Sequence, residues 1–377
     1  MLLSLYWTPI FVTALGALLA LSQSPPSLRV GTFNIKSDYT LFRQPANTAR
    51  LVVRSDEIIE PGSTRAQKEA TPAARFARSH VDYSSLLKYP PIGERWWSTR
   101  REPLAKQILH EELDVFGLQE VMNNQLEDLR TMFGRVYECV GAGRMDGDTL
   151  GEAVPVCYRR ARFQKEGVQH FWLSATPDIP DSISEDNKYP RMATMVKLLD
   201  STTNDHLCFV STHLDHVGAK SRRKGARQIL KRLHKYAEPG SLVFLVGDLN
   251  IDDTKEAYHI LTGGAYSGIP RPKDNETETF LDASKELSVQ SSWHGPHFQG
   301  RWGEAWTNPG FPEEAIPPKT IDYILFMDNG SVASRATKEQ TEGQWSVTSY
   351  GIASPFFQRS PMLSDHSLVV ATLVKVG

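Results

Sequence analysis

Phe244-Leu245-Val246-Gly247-Asp248-Leu249-Asn250 decides the fold. Leu242 to Val246 is an unbroken apolar run, the pattern of a strand buried on both faces. It ends at Gly247, and a carboxylate and a carboxamide follow at once. In an extended chain Asp248 and Asn250 point to the same side, because side chains alternate along a strand. A buried strand thus delivers two polar groups to its own C-terminal edge, where layered α/β folds bind ligands. Taken alone, Asp248 also reads as a cap for the helix suggested by Asp252-Asp253-Thr254. The rest of the chain decides between the two.

The 377 residues are 40% hydrophobic and 23% charged, an ordinary globular balance. The net charge of -2 gives no global sign of a polyanion-binding protein. Leu2 to Leu21 is largely apolar, and Ala20-Leu21-Ser22 offers small residues for cleavage before Gln23. Residues 1–22 read as a secretory signal, which expects a secreted or secretory-lumen protein; the alternative is an uncleaved membrane anchor. Asn275-Glu276-Thr277 and Asn329-Gly330-Ser331 are glycosylation sequons that suit this route. Cys139, Cys157 and Cys208 lie in strand-like runs, open to one disulfide with a thiol left over or to three buried inert thiols.

Outward from the central stretch, Leu28 to Ile35 reads as a first strand with Asn34 near its end. Residues 37–98 lack a clean period and read as a long insertion, partly helical around Ala73 to Leu87. Leu104, Ile108, Leu109 and Leu113 have helical spacing, and the short strand Val115 to Leu118 ends in Gln119-Glu120. Leu126, Leu129 and Phe133 suggest another helix. Strand-like runs follow at 136–141, 153–158, 169–173, 192–199 and 207–212, the last running into His213-Leu214-Asp215-His216. Ala219 to Ala237 is an amphipathic helix with Lys220, Arg222, Arg223, Lys224, Arg227, Lys231 and Lys235 on its polar face. Trp293 to Thr320 reads as a loop, Ile321 to Phe326 as a strand and Leu368 to Val374 as the last strand. Many short strands among few helices favour two packed sheets with helices outside, in one domain spanning 23–377.

Polar residues recur at the ends of these strands: Asn34, Glu120, His213, Asp248, Asn250 and Asp365-His366. One such residue is a cap; several suggest a shared rim. They suit attack of water on a phosphoester. A hard cation such as Mg2+, with Mn2+ as an alternative, takes oxygen ligands of the kind Glu120 and Asp365 supply. Asp248 is placed to orient or deprotonate water, and Asn250 and the histidines can donate to phosphoryl oxygens. His213-x-x-His216 is a weaker zinc pattern, because on a strand the two rings face opposite ways. The chain has no Gly-x-Ser-x-Gly elbow, which removes the serine-hydrolase reading.

Phe33-Asn34-Ile35, Leu118-Gln119-Glu120-Val121, Thr212-His213-Leu214, Gly247-Asp248-Leu249-Asn250, Ile321-Asp322-Tyr323 and Ser364-Asp365-His366 occur in the order seen in the endonuclease/exonuclease/phosphatase superfamily. The chain resembles that superfamily from about Leu28 to Val374, apart from the insertion. The resemblance implies an α/β four-layer sandwich of two packed mixed sheets flanked by helices, with the site at one rim. It also implies roles. Glu120 is similar to the principal metal ligand, with Asn34 and Asp365 beside it. Asp248 resembles the water-orienting residue, and Asn250 a phosphoryl contact. His366 is similar to the phosphate-contacting histidine, oriented by Asp322. His213 resembles the second histidine of the deoxyribonuclease branch, with Glu152 as its orienting carboxylate and Arg191 as a phosphate-binding arginine. Lys36 departs from the acidic residue of abasic-site endonucleases and suits a phosphate contact. Gly93 to Ser98 and Gly143-Arg144-Met145-Asp146-Gly147 resemble secreted-looking microbial members.

The reading is therefore a metal-dependent phosphodiesterase acting on nucleic acid. The basic helix face would meet phosphates, and Trp293, Trp302 and Trp306 would stack on bases. The alternatives are a phosphomonoesterase or phospholipid-headgroup hydrolase, and an inactive binding module. No stable protein partner is implied, and a monomer is expected.

Overall fold

In the computed structural model, the described residues are 25–38, 94–263, 279–287, 300–327 and 343–375. Strand β8 (Leu242–Asp248) is buried at every position, as its apolar run requires. It lies between β7 (His206–His213), parallel to it, and β11 (Asp322–Met327), antiparallel to it. Outward from these come β6 (Met192–Asp200) and β5 (Phe163–Trp172) on one side and β9 (Leu281–Asp282) on the other. The order β5-β6-β7-β8-β11-β9 makes a six-stranded mixed sheet.

The second sheet has seven strands in the order β10-β12-β13-β1-β2-β4-β3. Its centre repeats the same pattern. β1 (Ser27–Asn34) is parallel to β2 (Val115–Gln119) and antiparallel to β13 (Val369–Lys375). The flanks are β12 (Trp345–Ile352) and β10 (Gly300–Gly303) on one side, and β4 (Val156–Arg159) and β3 (Tyr137–Val140) on the other.

The sheets face each other across Val30, Val115, Phe209, Phe244, Val246, Ile324 and Val369. These are the inward positions of alternating strands, and the burial they share holds the sheets together. Truncating one of the large ones, such as Phe244 to Ala, costs about 3–5 kcal/mol by lost transfer and cavity terms. A polar tie crosses near the top of this core: Gln119 Nε2 donates to Ser211 Oγ at 3.3 Å, and Ser211 Oγ donates to Leu118 O at 3.2 Å.

Helices cover both outer faces. α1 (Trp97–His110) and α2 (Asn123–Phe133) bury Leu104, Ile108, Leu126 and Leu129 against Phe116, Leu118 and Val370. α3 (Ala219–Tyr236) and α4 (Glu256–Thr262) bury Ala226, Ile229, Leu233 and Tyr258 against Val210, Leu245 and Leu325. The short α5 (Ala283–Glu286) follows β9. Helix, sheet, sheet, helix is the four-layer arrangement that the resemblance implied.

The structure differs from the sequence reading in particulars. β5 starts at Phe163 rather than near Gln169, because its solvent face carries polar residues that mask the alternation. β10 lies inside the stretch read as one loop. The edges of the expected insertion belong to the body: Ser37 and Asp38 contact the rim and α2, and Trp97 packs into the core. Residues 39–93, the N-terminal segment to residue 24, both sequons and Trp293 lie outside the described residues. Cys139 and Cys157, register partners on β3 and β4, form a disulfide, and Cys208 is the buried free thiol.

Candidate active site

The C-terminal ends of β1, β2, β7 and β8 and the segments before β11 and β13 meet at one rim, across the mouth between the sheets. The last residues of several strands leave regular geometry there. Lys36, Glu120 and Asn250 all have positive φ, at 61°, 58° and 52°. This left-handed region is costly for most residues with a Cβ, and asparagine tolerates it best. Such turns are held by what the side chains meet. Gly247 answers a tighter demand at φ 145°, since a Cβ there would stand 2.0 Å from the Thr212 carbonyl oxygen of paired β7.

Asn34 joins the two sheets. Its Nδ2 donates to Glu120 Oε1 at 2.9 Å and to Asp248 Oδ2 at 3.1 Å, while its Oδ1 accepts from Lys36 N at 3.1 Å. Three partners fix the amide's orientation. Nitrogen, not oxygen, faces Glu120, so Asn34 stands as a donor between two carboxylates rather than as the oxygen ligand expected. The other Glu120 oxygen accepts from Ser37 N at 3.2 Å and Ser37 Oγ at 3.1 Å. Lys36 Nζ reaches Asp365 Oδ2 at 3.1 Å. Burial opposes the charge on Glu120, but the Lys36 ammonium, the His213 and His366 imidazoles and the Asn34 bond outweigh it and hold its carboxyl well below the usual range. Burial likewise opposes the Lys36 ammonium, and Glu120 and Asp365 overcome it and raise its pKa. Lys36 is thus an internal counter-ion of these two acids as well as a candidate phosphate contact.

Asp248, Asp322 and His366 form a buried group whose ligand-capable atoms lie within 4.8 Å of one another. His366 Nδ1 meets Asp322 Oδ2 at 2.9 Å and Oδ1 at 3.1 Å. An ionised carboxylate only accepts, so Nδ1 carries a proton and Nε2 faces Asp248 Oδ2, 3.7 Å away. Burial disfavours the imidazolium, but Asp322, then Asp248 and Asp365, push the His366 pKa up to about 10. Burial and the Asp322 charge push Asp248 up to about 7, against the pull of His366 and the Asn250 backbone bond. Asp322 is anchored in turn by Thr307, whose Oγ1 accepts from the Ile321 and Asp322 amides at 3.0 and 3.1 Å.

His213 stands on the other side of Asp248, with Nε2 3.4 Å from Oδ2. Asn250 Nδ2 donates to Leu214 O at 3.0 Å and lies 2.9 Å from His213 Nε2. Nε2 is therefore the acceptor and Nδ1 carries the proton in the neutral ring. Burial, followed by Arg191, Arg144 and His366, holds the His213 pKa well below that of an ordinary imidazole, with Glu120 opposing. His213 Nδ1 has no hydrogen-bond partner among the described residues. The expected partner, Glu152, instead accepts from Arg144 at 2.6 Å. A guanidinium competes better for a carboxylate than a neutral imidazole does. Arg191 lies 3.6 Å from Asp215 Oδ2 through Nε and 3.2 Å from His216 Nδ1 through its terminal nitrogen.

All the residues expected at the site therefore fall on this rim or directly beside it. Several that support it went unread. Buried Arg100 donates to the carbonyls of Ile35, Lys36 and Leu363 and so ties the end of β1 to the loop before Asp365. Gln125 donates to Lys36 O and accepts from Asp38 N. Ser364 Oγ donates to Asn34 O at 2.7 Å. The signal for Arg100 was a charge on the apolar stripe of α1, one turn before Leu104.

Two paired, mixed sheets that gather carboxylates, amides and two unlike histidines at one rim define a phosphoesterase-type sandwich. The chain matches the model of the Endonuclease/Exonuclease/phosphatase family over residues 31–366, and it belongs to that family, whose members are metal-dependent phosphoester hydrolases. No curated protein shows a significant sequence match. Among solved structures, an endonuclease/exonuclease/phosphatase from Bacteroides vulgatus is 24% identical, with a TM-score of 0.62 over 93% of this chain and 99% of that one. A mannosyl-6-phosphatase from Bacteroides thetaiotaomicron is 20% identical, with a TM-score of 0.61 over 92% and 99%. TDP2 from D. rerio, complexed with a single-strand DNA product, is 15% identical, with a TM-score of 0.53 over 92% and 98%. At these identities the likeness is one of fold.

The family's divalent cation fits the residues present. Glu120 and Asp365 offer carboxylate oxygens, the donors a hard cation takes, and they already gather around the Lys36 ammonium. In the Asp248, Asp322 and His366 group the carboxylates are taken up by Asn34, the Asn250 amide and the imidazole. That group is a further set of ligand-capable atoms among the described residues.

Proposed function

We propose that this protein is a Mg2+-dependent hydrolase of small phosphoesters, cleaving the ester of a compact alcohol such as a phosphorylated sugar. The observation that carries this is where the cationic groups lie. Lys36, Arg144, Arg191 and His366 are gathered at the rim, and the basic face of α3 is not. α3 starts near the rim after β7 and runs back along the outer layer. Its Lys224 pairs with Glu185, Arg223 and Arg227 with Glu256, and Arg222 turns inward to Asp215 O. Four of the seven basic residues on this face thus already have partners within the protein. Trp302 packs in the seven-stranded sheet beneath Arg29 rather than standing free to stack.

The residues divide the work as follows. The bound cation supplies charge neutralisation at the phosphoryl oxygens. Glu120 and Asp365 would hold it. Asp248 takes the proton of the attacking water, for which a pKa of about 7 suits it. His366, kept protonated by Asp322, donates to the developing phosphoryl charge. His213, neutral and bonded to Asn250, donates or orients without adding charge. Arg191 and Lys36 steady the phosphate.

A second reading, cleavage of a short nucleic-acid strand, draws on Trp306. It is 47% exposed beside Thr307 at the Asp322 end of the rim. The Cys139–Cys157 disulfide suits the secretory route read from the N-terminal segment, because disulfides persist in oxidising compartments.

The test is turnover with Mg2+ on a hexose 6-phosphate, p-nitrophenyl phosphate, its bis-ester and single-stranded DNA, each at low and high salt. Turnover of the small esters with a shallow salt slope is expected. Faster cleavage of DNA with a steep salt slope would overturn the small-ester reading, since release of counterions marks a polyanion substrate.

A further inference from the structure

His216 closes the His213-Leu214-Asp215-His216 segment, and the proposed chemistry leaves it unused. β7 ends at His213, so the strand geometry that would turn the two rings apart no longer applies. The His216 side chain is 46% exposed. Its ring stacks on Tyr189 with centroids 6.4 Å apart and planes 24° from parallel. Its Nδ1 accepts from Arg191, which leaves Nε2 to carry the proton of the neutral ring. Arg191, its donor, also lies 3.6 Å from Asp215, two residues after His213, which places the ring beside the rim. Tyr189 is flanked by Arg144 and Lys188, each 5.3 Å from its ring centroid.

We propose that His216 and Tyr189 form the wall that receives the alcohol part of the substrate, and that they take a polyhydroxylated ring. This deepens the small-phosphoester reading and rests on it. The charge balance at the wall selects the ligand class. Arg144 is paired with Glu152, and Arg191 lies 3.6 Å from Asp215 while donating to His216, so donors and acceptors stand side by side at the wall. Paired acids and bases beside an aromatic face suit hydroxyl groups and an apolar ring face.

The experiment compares His216→Gln and Tyr189→Leu with wild type on a hexose 6-phosphate and on glycerol 3-phosphate, with Mg2+ present and phosphate release as readout. Gln keeps an oxygen that can accept from Arg191 while removing the ring. The ratio of kcat/KM for the hexose ester over the glycerol ester should fall about tenfold in each variant, the worth of one lost ring contact or hydrogen bond. The fall should lie mainly in KM. Tyr189→Phe, which keeps the stack, should retain the wild-type ratio. Equal losses on both esters, or no loss on either, would overturn the wall and leave the small-phosphoester reading standing. A wild-type enzyme that releases phosphate from neither ester would overturn both.

Discussion

Asp322 and His366 meet across the mouth of the two sheets. Asp322 opens β11 of the six-stranded sheet, His366 precedes β13 of the seven-stranded sheet, and Oδ2 lies 2.9 Å from Nδ1. The fold must close before this pair can form, and the pair sets the charge state of the ring that faces Asp248. The rate should accordingly depend on two limbs, with Asp248 ionised and His366 protonated. Activity should fall as pH drops through about 7 and as it rises through about 10.

Asp322→Asn removes the main cause of the raised His366 pKa. The alkaline limb should move down toward the ordinary imidazole value of about 6.5. The rate at pH 8 should fall about 10²–10⁴-fold as the donor is lost. A raised pKa adds stability that is complete below the unfolded value and is lost as pH rises through the folded one. The gap in melting temperature between wild type and variant should therefore be widest near pH 6 and close toward pH 10. A pH–rate profile and melting curves on both proteins check this, and an unmoved alkaline limb would contradict it.

Glu120→Gln keeps size and one acceptor oxygen, for Ser37 or for Asn34 but not for both, and removes the anion. Activity should drop and should recover in part as Mg2+ is raised, because affinity for the cation is what was lost. Titration of the rate with Mg2+ measures it. Low activity that ignores Mg2+ throughout would remove Glu120 from the cation's seat.

Gly247→Ala should be among the most damaging single changes in the chain. The new Cβ would collide with the Thr212 carbonyl, which is backbone and cannot step aside. The expected loss of stability is about 3 kcal/mol or more, with activity lost because β7 and β8 carry His213 and Asp248. Chemical unfolding of the variant checks it.

Reduction of Cys139–Cys157, or Cys139→Ser with Cys157→Ser, should destabilise the protein by about 2–4 kcal/mol. The site should still assemble, since the bridge lies on the outer strands of the seven-stranded sheet. Denaturant curves with and without reductant, beside a turnover assay, test both halves.

What could be read in the sequence was what strand endings reveal. The run into Gly247-Asp248 and the short strand into Gln119-Glu120 each combine an apolar stretch with an abrupt polar residue, and both deliver that residue to the rim. His366 was legible as a polar residue flanking the last strand, and Asp322 as its partner only through the family resemblance. Partner choice was not. Whether Glu152 meets His213 or Arg144 depends on which donor the fold brings closer, and Arg144 lies on a loop with no periodicity. The amide of Asn34 could face a cation or two carboxylates, and only the crossing of the sheets decides for the carboxylates. The acids that pair with part of the basic face of α3, Glu185 with Lys224 and Glu256 with Arg223 and Arg227, lie on other elements and could not be matched to it from the sequence.

The most direct measurement is turnover of Asp248→Asn at saturating Mg2+, taken as a pH–rate profile beside a melting curve. The substitution keeps size and one of the two hydrogen bonds, from Asn34 or from the Asn250 amide, and removes the base. The account predicts a fall of about 10²–10⁴-fold, loss of the acid limb near pH 7 and a cooperative melting transition that shows the protein folded. Turnover near that of wild type in a folded protein, with the acid limb unchanged, would contradict it and return Asp248 to the role of a strand-end cap.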